Sequence, residues 1–230
     1  MIVYGKNVIK EAVFSSRPIF NLYIDQKFSD YKFLTFLEDK GIRYEKVSKE
    51  KLSQLAGSSV HQGIVANVKD YETYELKDIL DQEQRQRFII LDGIEDPHNL
   101  GAIMRTAEAT NLTGIIMSKK GQVPLNQTVA KVSSGAIEHV KVILVSNINQ
   151  AIEILKEHRV LVVGTDGNTD QTYDDMPKDV SIAVVMGNEG AGMRPLVKKH
   201  CDMLVKIPMY GKINSLNVSV AAALMMYKIL

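Results

Sequence analysis

Three segments of the sequence set an arginine, amides, a carboxylate and a hydroxyl among residues that are otherwise small or apolar. In LDGIEDPHNLGAIMRTAEA, 91–109, an apolar run ends in the turn Asp96-Pro97-His98-Asn99. A helix is expected from Asn99 to Thr110, with Asn99 as its N-cap accepting from the free N–H groups of the first turn. Arg105 lies six residues on, among Gly, Ala, Ile and Met, and the small glycine and alanines let a ligand or another backbone approach. In VVMGNEGAGM, 184–193, a strand runs into Gly187, Gly190 and Gly192 with Asn188 and Glu189 between them. Glycines there permit left-handed backbone and bring main-chain groups up to a ligand. The segment has no Gly-Lys-Ser/Thr ending and follows a late strand, so it is neither a phosphate P-loop nor a dinucleotide fingerprint. In IPMYGKINSLNVSVAAALMMYKIL, 207–230, a turn through Gly211 leads to Ser215-Leu216-Asn217, with Ser215 as the expected N-cap of a helix apolar on nearly every face. Such a helix is expected to be buried, in part at a subunit interface.

Together the three segments outline one site holding Asn99, Arg105, Glu189, Ser215 and Asn217. Other chemistries are excluded. His61, His98, His139, His158 and His200 are scattered without metal spacing, and the serine-hydrolase pattern Gly-x-Ser-x-Gly is absent. Cys201 is the only cysteine, so no internal disulfide and no cysteine metal cluster can form; it reads as a small buried hydrophobe.

The elements that must position this site divide the chain. Residues 1–68 read as a small α/β unit, with helices over 7–13 and 30–40 and strands over 21–25, 42–48 and 63–68. Residues 69–87 are polar, without glycine or proline, and read as a linker with a helical turn. From residue 88 six apolar runs, 88–94, 114–119, 139–145, 159–166, 181–187 and 202–209, alternate with helical patterns over 99–110, 128–134, 147–158, 195–200 and 215–230. Runs apolar on both sides suit a buried parallel sheet, so 88–230 is expected to be a three-layer α/β domain. The segments at the ends of its strands lie where such sheets bind ligands.

With 45% hydrophobic and 24% charged residues the chain is an ordinary folded protein, not a disordered or repetitive one. Its 28 basic and 27 acidic side chains give a net charge of +1, which in bulk advertises no nucleic-acid partner. Divided, residues 1–70 carry +3, 71–87 carry −2, and 88–230 are neutral. No run is long enough to span a membrane, and the N-terminus lacks the apolar core of a secretory signal, so a cytoplasmic location is expected.

At Asn99…Arg105, Met186-Gly-Asn-Glu-Gly-Ala-Gly192 and Ile207-Pro-Met209 through Ser215-Leu-Asn-Val-Ser219, in that order and spacing, the sequence resembles the SpoU (TrmH-type) family of RNA ribose 2′-O-methyltransferases, in the SPOUT superfamily. The resemblance covers 88–230. Tyr4-Gly5-Lys6…Glu11-Ala12 and Ser59-Val-His-Gln-Gly63 look like the L30e-like substrate-binding domain of the branch acting on large-subunit ribosomal RNA.

The resemblance implies a trefoil knot, a rare exception to unthreaded chains, and a homodimer formed through the first-motif and C-terminal helices. It implies S-adenosylmethionine as methyl donor without a metal, held by Thr165, Asp166, Met186, Gly187, Asn188, Gly190, Ile207, Met209, Ser215 and Leu216. The implied reaction is in-line attack of a ribose 2′-hydroxyl on the methyl group, with a guanosine of 23S ribosomal RNA as the expected target. Arg105 would bind the adjacent phosphate and stabilise the developing alkoxide, since a guanidinium stays protonated and makes a poor base. Asn99 and Glu189 would orient Arg105 and the ribose, and Ser215 and Asn217 would fix the loop and substrate. Lys6, Lys10 and Arg17 are candidates for RNA contact in the N-terminal unit. The alternatives are a transfer-RNA enzyme, which typically carries basic extensions, and a non-catalytic RNA-binding protein, which would have lost motif residues. An ordinary Rossmann enzyme needs a glycine-rich turn after its first strand, and LDGIEDPHNLGA does not supply one.

Overall fold

The computed structural model describes residues 1–81 and 83–230; Gln82, inside the expected linker, lies outside the described residues. In chain order the elements are β1 (Ile2–Tyr4), α1 (Lys6–Phe14), β2 (Ile19–Asp25), α2 (Tyr31–Asp39), β3 (Glu45–Val47), α3 (Lys49–Ala56) and β4 (Ile64–Val68). There follow α4 (Leu76–Ile79), β5 (Arg87–Asp92), α5 (Pro97–Ala109), β6 (Gly114–Ser118), α6 (Gln127–Val132), β7 (Val142–Val145) and α7 (Ile148–Glu157). The last are β8 (Leu161–Thr165), β9 (Ile182–Gly187), α8 (Pro195–His200), β10 (Met203–Val205) and α9 (Val218–Lys228).

These form two compact units, Met1–Tyr71 with Leu125–His139, and Glu72–Pro124 with Val140–Leu230. The grouping differs from the expected cut in two respects. Most of the polar 69–87 stretch folds into the second unit. Leu76 is buried in its core, Tyr74 bridges Ile143, and the Gln86 side chain bonds to Ile79 O and Asp81 N. Conversely α6, expected inside the 88–230 domain, packs against β1 and α1 in the first unit. The turn after it demands glycine: Gly135 has φ 94°, and a Cβ there would lie 2.1 Å from Glu11 Cγ.

The first unit carries a four-stranded sheet in the order β1-β4-β2-β3, parallel only between β2 and β3. Asp30 caps α2 by accepting from Phe33 N at 3.1 Å. Ser48 caps α3, and Gly57 closes it in left-handed backbone. His61 is buried beneath this sheet's last turn, its Nδ1 accepting from Gly63 N at 3.0 Å. The proton therefore sits on Nε2, which faces Ser53 Oγ at 3.2 Å. Desolvation holds the imidazole's pKa below its usual value. Because the folded pKa is lowered, the neutral ring contributes stability above about pH 6.5 and loses it as the pH falls through the folded value. Thermal denaturation at pH 7 and pH 5 should show the wild type losing more stability than His61→Asn, which keeps an acceptor for Gly63 N; equal losses would remove this account.

The second unit is built on a six-stranded, all-parallel sheet in the order β10-β8-β9-β5-β6-β7. Central β9 is buried along its whole length, as its unbroken apolar run requires. Phe88, Ile90, Val162 and Val185 pack there against Ile148, Ile152 and Leu155 of α7. Chain order reverses where β9 lies between β5 and β8, which puts the loops after β8, β9 and β10 at one part of the sheet's C-terminal edge. Helix α9 packs on α5, and within the single chain one helical stripe, Val220, Leu224 and Tyr227, stays exposed. Among the described residues no helix is long and apolar enough to cross a membrane.

Candidate active site

A pocket of about 290 Å³ opens at the C-terminal ends of β8, β9 and β10, closed on one side by the first turn of α9. All ten residues expected to hold a methyl donor, from Thr165 to Leu216, line it. Its walls are apolar at Met186, Val205, Ile207, Leu216, Val218 and Ala221, and polar at Asp166 and Glu189. Thr165 Oγ1 donates to Val185 O at 2.9 Å, tying the end of β8 to β9. Asp166 is paired with Lys198, whose hydrogen bond is the largest cause of its lowered pKa, so the carboxylate stays ionised.

The glycine loop is held by itself. Asn188 and Gly192 exchange backbone hydrogen bonds at 3.0 Å in both directions, closing a tight hairpin. The Asn188 side chain accepts from Gly190 N at 3.0 Å and donates to Gly93 O at 2.8 Å, fixing the loop to the end of β5. A Cβ at Gly187 would lie 2.2 Å from Gly192 C and from Met193 N. Loop closure alone therefore requires that glycine, whatever approaches the pocket.

One chain of side-chain hydrogen bonds joins the three sequence segments. Asn217 Oδ1 accepts from Ser219 N at 2.9 Å, which makes Asn217, not Ser215, the N-cap of α9. That contact directs its amide nitrogen outward, and Nδ2 donates to Asn99 Oδ1 at 3.0 Å. Asn99 Nδ2 in turn donates to the Glu189 carboxylate. Asn99 is not an N-cap either: α5 begins at Pro97, with Asp96 accepting from His98 N at 2.8 Å. Proline at the first helical position, preceded by Asp, is the stronger start signal. It places Asn99 third in the helix's first turn, buried and aimed at Glu189.

Two expected residues stand apart from this chain. Ser215 lines the pocket rim and is exposed. Arg105 is exposed on α5 and outside the pocket lining; six residues from Asn99 is about 9 Å along the axis and on another face. Of the candidates for RNA contact, Lys6 pairs with Asp30 at 2.7 Å, and Lys10 lies over the rings of Phe33 and Phe36. Arg17 has no free face to offer. Its side chain is 7% exposed, paired with Glu138 at 2.6 Å, bonded to Lys69 O and stacked on Tyr71, whose hydroxyl burial pushes up to about 12.

Sequence reasoning missed one structural pair. Asp92, at the end of β5, is fully buried and accepts from Arg194 N at 2.9 Å and Arg194 Nε at 2.7 Å. These contacts pin the far end of the glycine loop. The only signal was a carboxylate closing an otherwise apolar strand. Cys201, expected as a small buried hydrophobe, is only partly buried where it packs against the core, and burial pushes its thiol up to about 11.

The fold and the matching family models identify an RNA methyltransferase. The chain belongs to the SpoU rRNA Methylase family, whose model matches residues 86–227, and a model described as RNA 2′-O ribose methyltransferase substrate binding matches residues 2–74. It is 42% identical over 235 residues to a Staphylococcus aureus (strain COL) protein named for the TrmH family of tRNA/rRNA methyltransferases, spanning 99% of this chain and 94% of the relative. Bacillus subtilis (strain 168) YacO, named for the same family, is 42% identical over 234 residues with the same shares. Among solved structures, the SpoU methyltransferase AviRb of Streptomyces viridochromogenes in complex with AdoMet shares the fold. It superposes with a TM-score of 0.86 over 99% of this chain and 88% of that one, at 24% identity.

Proposed function

We propose that the protein transfers a methyl group from S-adenosylmethionine to a ribose 2′-hydroxyl of RNA, a guanosine of 23S ribosomal RNA, as a cytoplasmic homodimer. The observation that carries this reading is the hydrogen-bonded chain from Glu189 through Asn99 to Asn217 beside the pocket at the ends of β8, β9 and β10. The pocket suits the methyl donor: an apolar wall for a purine, the backbone of the glycine loop beside it, and one lining cation, Lys206, in place of the arginine fork that recognises phosphate. The AviRb complex with AdoMet, of the same fold, supports it. S-adenosylmethionine, when bound, supplies an electrophilic methyl group on a sulfonium.

The chain's own residues do the rest. Asn188 and Gly187 hold the glycine loop so that its backbone faces the pocket. Glu189, oriented by Asn99, fixes the substrate ribose, and Asn217 locks Asn99 while starting α9. Ser215 completes the rim. Arg105 donates to the phosphate next to the reacting hydroxyl and stabilises the alkoxide as it forms; the proton leaves through that phosphate or water. The exposed stripe Val220, Leu224 and Tyr227 on α9 supports a second copy of the chain as its cover. The second unit performs catalysis and the first binds RNA, with Lys6 and Lys10 as phosphate contacts.

The test is to incubate the protein and a labelled methyl donor with ribosomal and transfer RNA pools, then map the label. Label is expected in ribosomal RNA at a linkage resistant to alkali, because hydrolysis there needs a free 2′-hydroxyl. Label on transfer RNA alone, or on a base, refutes the reading.

A further inference from the structure

A groove of about 670 Å³ opens on the first unit, between the end of α1, the start of β2 and the turn after α2. Two phenylalanines on its walls are left in water, Phe14 at 57% and Phe20 at 61% exposure. Phe20 is there because of a β-bulge. The pairing of β2 with β4 shifts between Ile19 and Asn21, and the extra residue is turned out of the ladder. Phe14 is backed by Phe36 at 5.3 Å between centroids, and the Lys40 ammonium lies 5.9 Å from its ring. Lys40 and Arg43 are exposed on the same groove, and no carboxylate lines it among the described residues. Arg17, also at the groove, is committed to Glu138.

Exposed flat rings between unpaired cations match one chemistry closely. Bases stack on the rings whatever their identity, and the cations follow the phosphates that join them. A duplex cannot use the rings, because its bases are stacked on one another within the helix. We propose that this groove holds an unpaired stretch of RNA, with bases stacked on Phe14 and Phe20 and phosphates against Lys40 and Arg43. The inference rests on the RNA methyltransferase reading and narrows its substrate to RNA carrying a single-stranded segment. It adds Lys40 and Arg43 to Lys6 and Lys10 as cations of the first unit that meet RNA, while Arg17, though at the groove, stays bound to Glu138.

The test uses the full chain and fluorescence anisotropy, with a labelled unstructured RNA oligonucleotide and a duplex of equal length as probes. The single strand should bind more tightly than the duplex. Phe20→Ala and Phe14→Ala should each weaken single-strand binding about tenfold without changing its salt dependence, as removal of a stacking surface does. The double variant Lys40→Ala/Arg43→Ala should instead flatten the slope of log affinity against log salt by about 1.4, roughly 0.7 for each phosphate no longer neutralised. Both phenylalanines are exposed, and unchanged affinity for S-adenosylmethionine with an unchanged melting temperature shows that the variants fold. Wild-type affinity in either phenylalanine variant, or a duplex bound as tightly as the single strand, overturns the proposal. So does a groove whose variants lose only a protein partner. If the variants bind as wild type while the wild type still methylates RNA, the groove assignment alone falls. If the wild type methylates no RNA at all, the functional reading falls first.

Discussion

Arg105→Ala should lower the rate of methyl transfer by about 10²–10³-fold, the loss that follows removal of one donor aimed at developing negative charge. Affinity for S-adenosylmethionine should not change, because Arg105 lies outside the pocket that would hold it. The melting temperature should not change either, since the side chain is exposed on α5. Arg105→Lys should recover little, as an ammonium cannot reproduce a planar two-pronged contact with phosphate. Single-turnover transfer from labelled donor, with calorimetry for donor binding, separates these quantities. Near-normal transfer by an alanine variant that still binds both substrates would show that the group stabilising the alkoxide lies elsewhere.

Arg194→Met should be the most destabilising single change near the site. Among the described residues it leaves the Asp92 carboxylate, fully buried, with only the N–H of residue 194 for a partner. Stranding one member of a buried pair costs about 3–5 kcal/mol. The reverse change, Asp92→Asn, should cost less, because the Arg194 side chain is 62% exposed and water can solvate it. Both changes loosen the end of the glycine loop, so donor affinity should fall in the same order as stability. Denaturant titration with donor-binding measurements reads both; equal destabilisation by the two variants would mean that the pair is not organised by the burial of Asp92.

Much of the second unit was legible because each of its strands is a short apolar run bounded by polar residues. Helix α8 begins and ends where Pro195 and His200 predict. The first unit was harder. β1 has three residues, too few for alternation to register, and α3 hid behind a strand-like Glu45–Val47. Ser48, the apolar spacing of Leu52, Leu55 and Ala56, and Gly57 were its only marks.

Within the site, the residue set was legible and its wiring was not. Ser215 and Asn217 are both good N-cap types two positions apart, and local rules cannot choose between them. Asn217 takes the role in a structure where its amide also reaches Asn99, 118 residues away in sequence. Asp92 and Arg194 are likewise 102 residues apart, and nothing near either one announces the other. Arg17 read as a free cation because its partner Glu138 lies far along the chain.

The placement of Leu125–His139 with Met1–Tyr71 bears on how such proteins can be recombined. A cut after Tyr71 would release a fragment whose β1 and α1 lack the helix that covers them and whose Arg17 lacks its carboxylate. Exchange of N-terminal halves between relatives at that single junction would join surfaces that never matched. A workable chimera must carry the 125–139 insert from the same parent as residues 1–71, because the inheritable module is discontinuous.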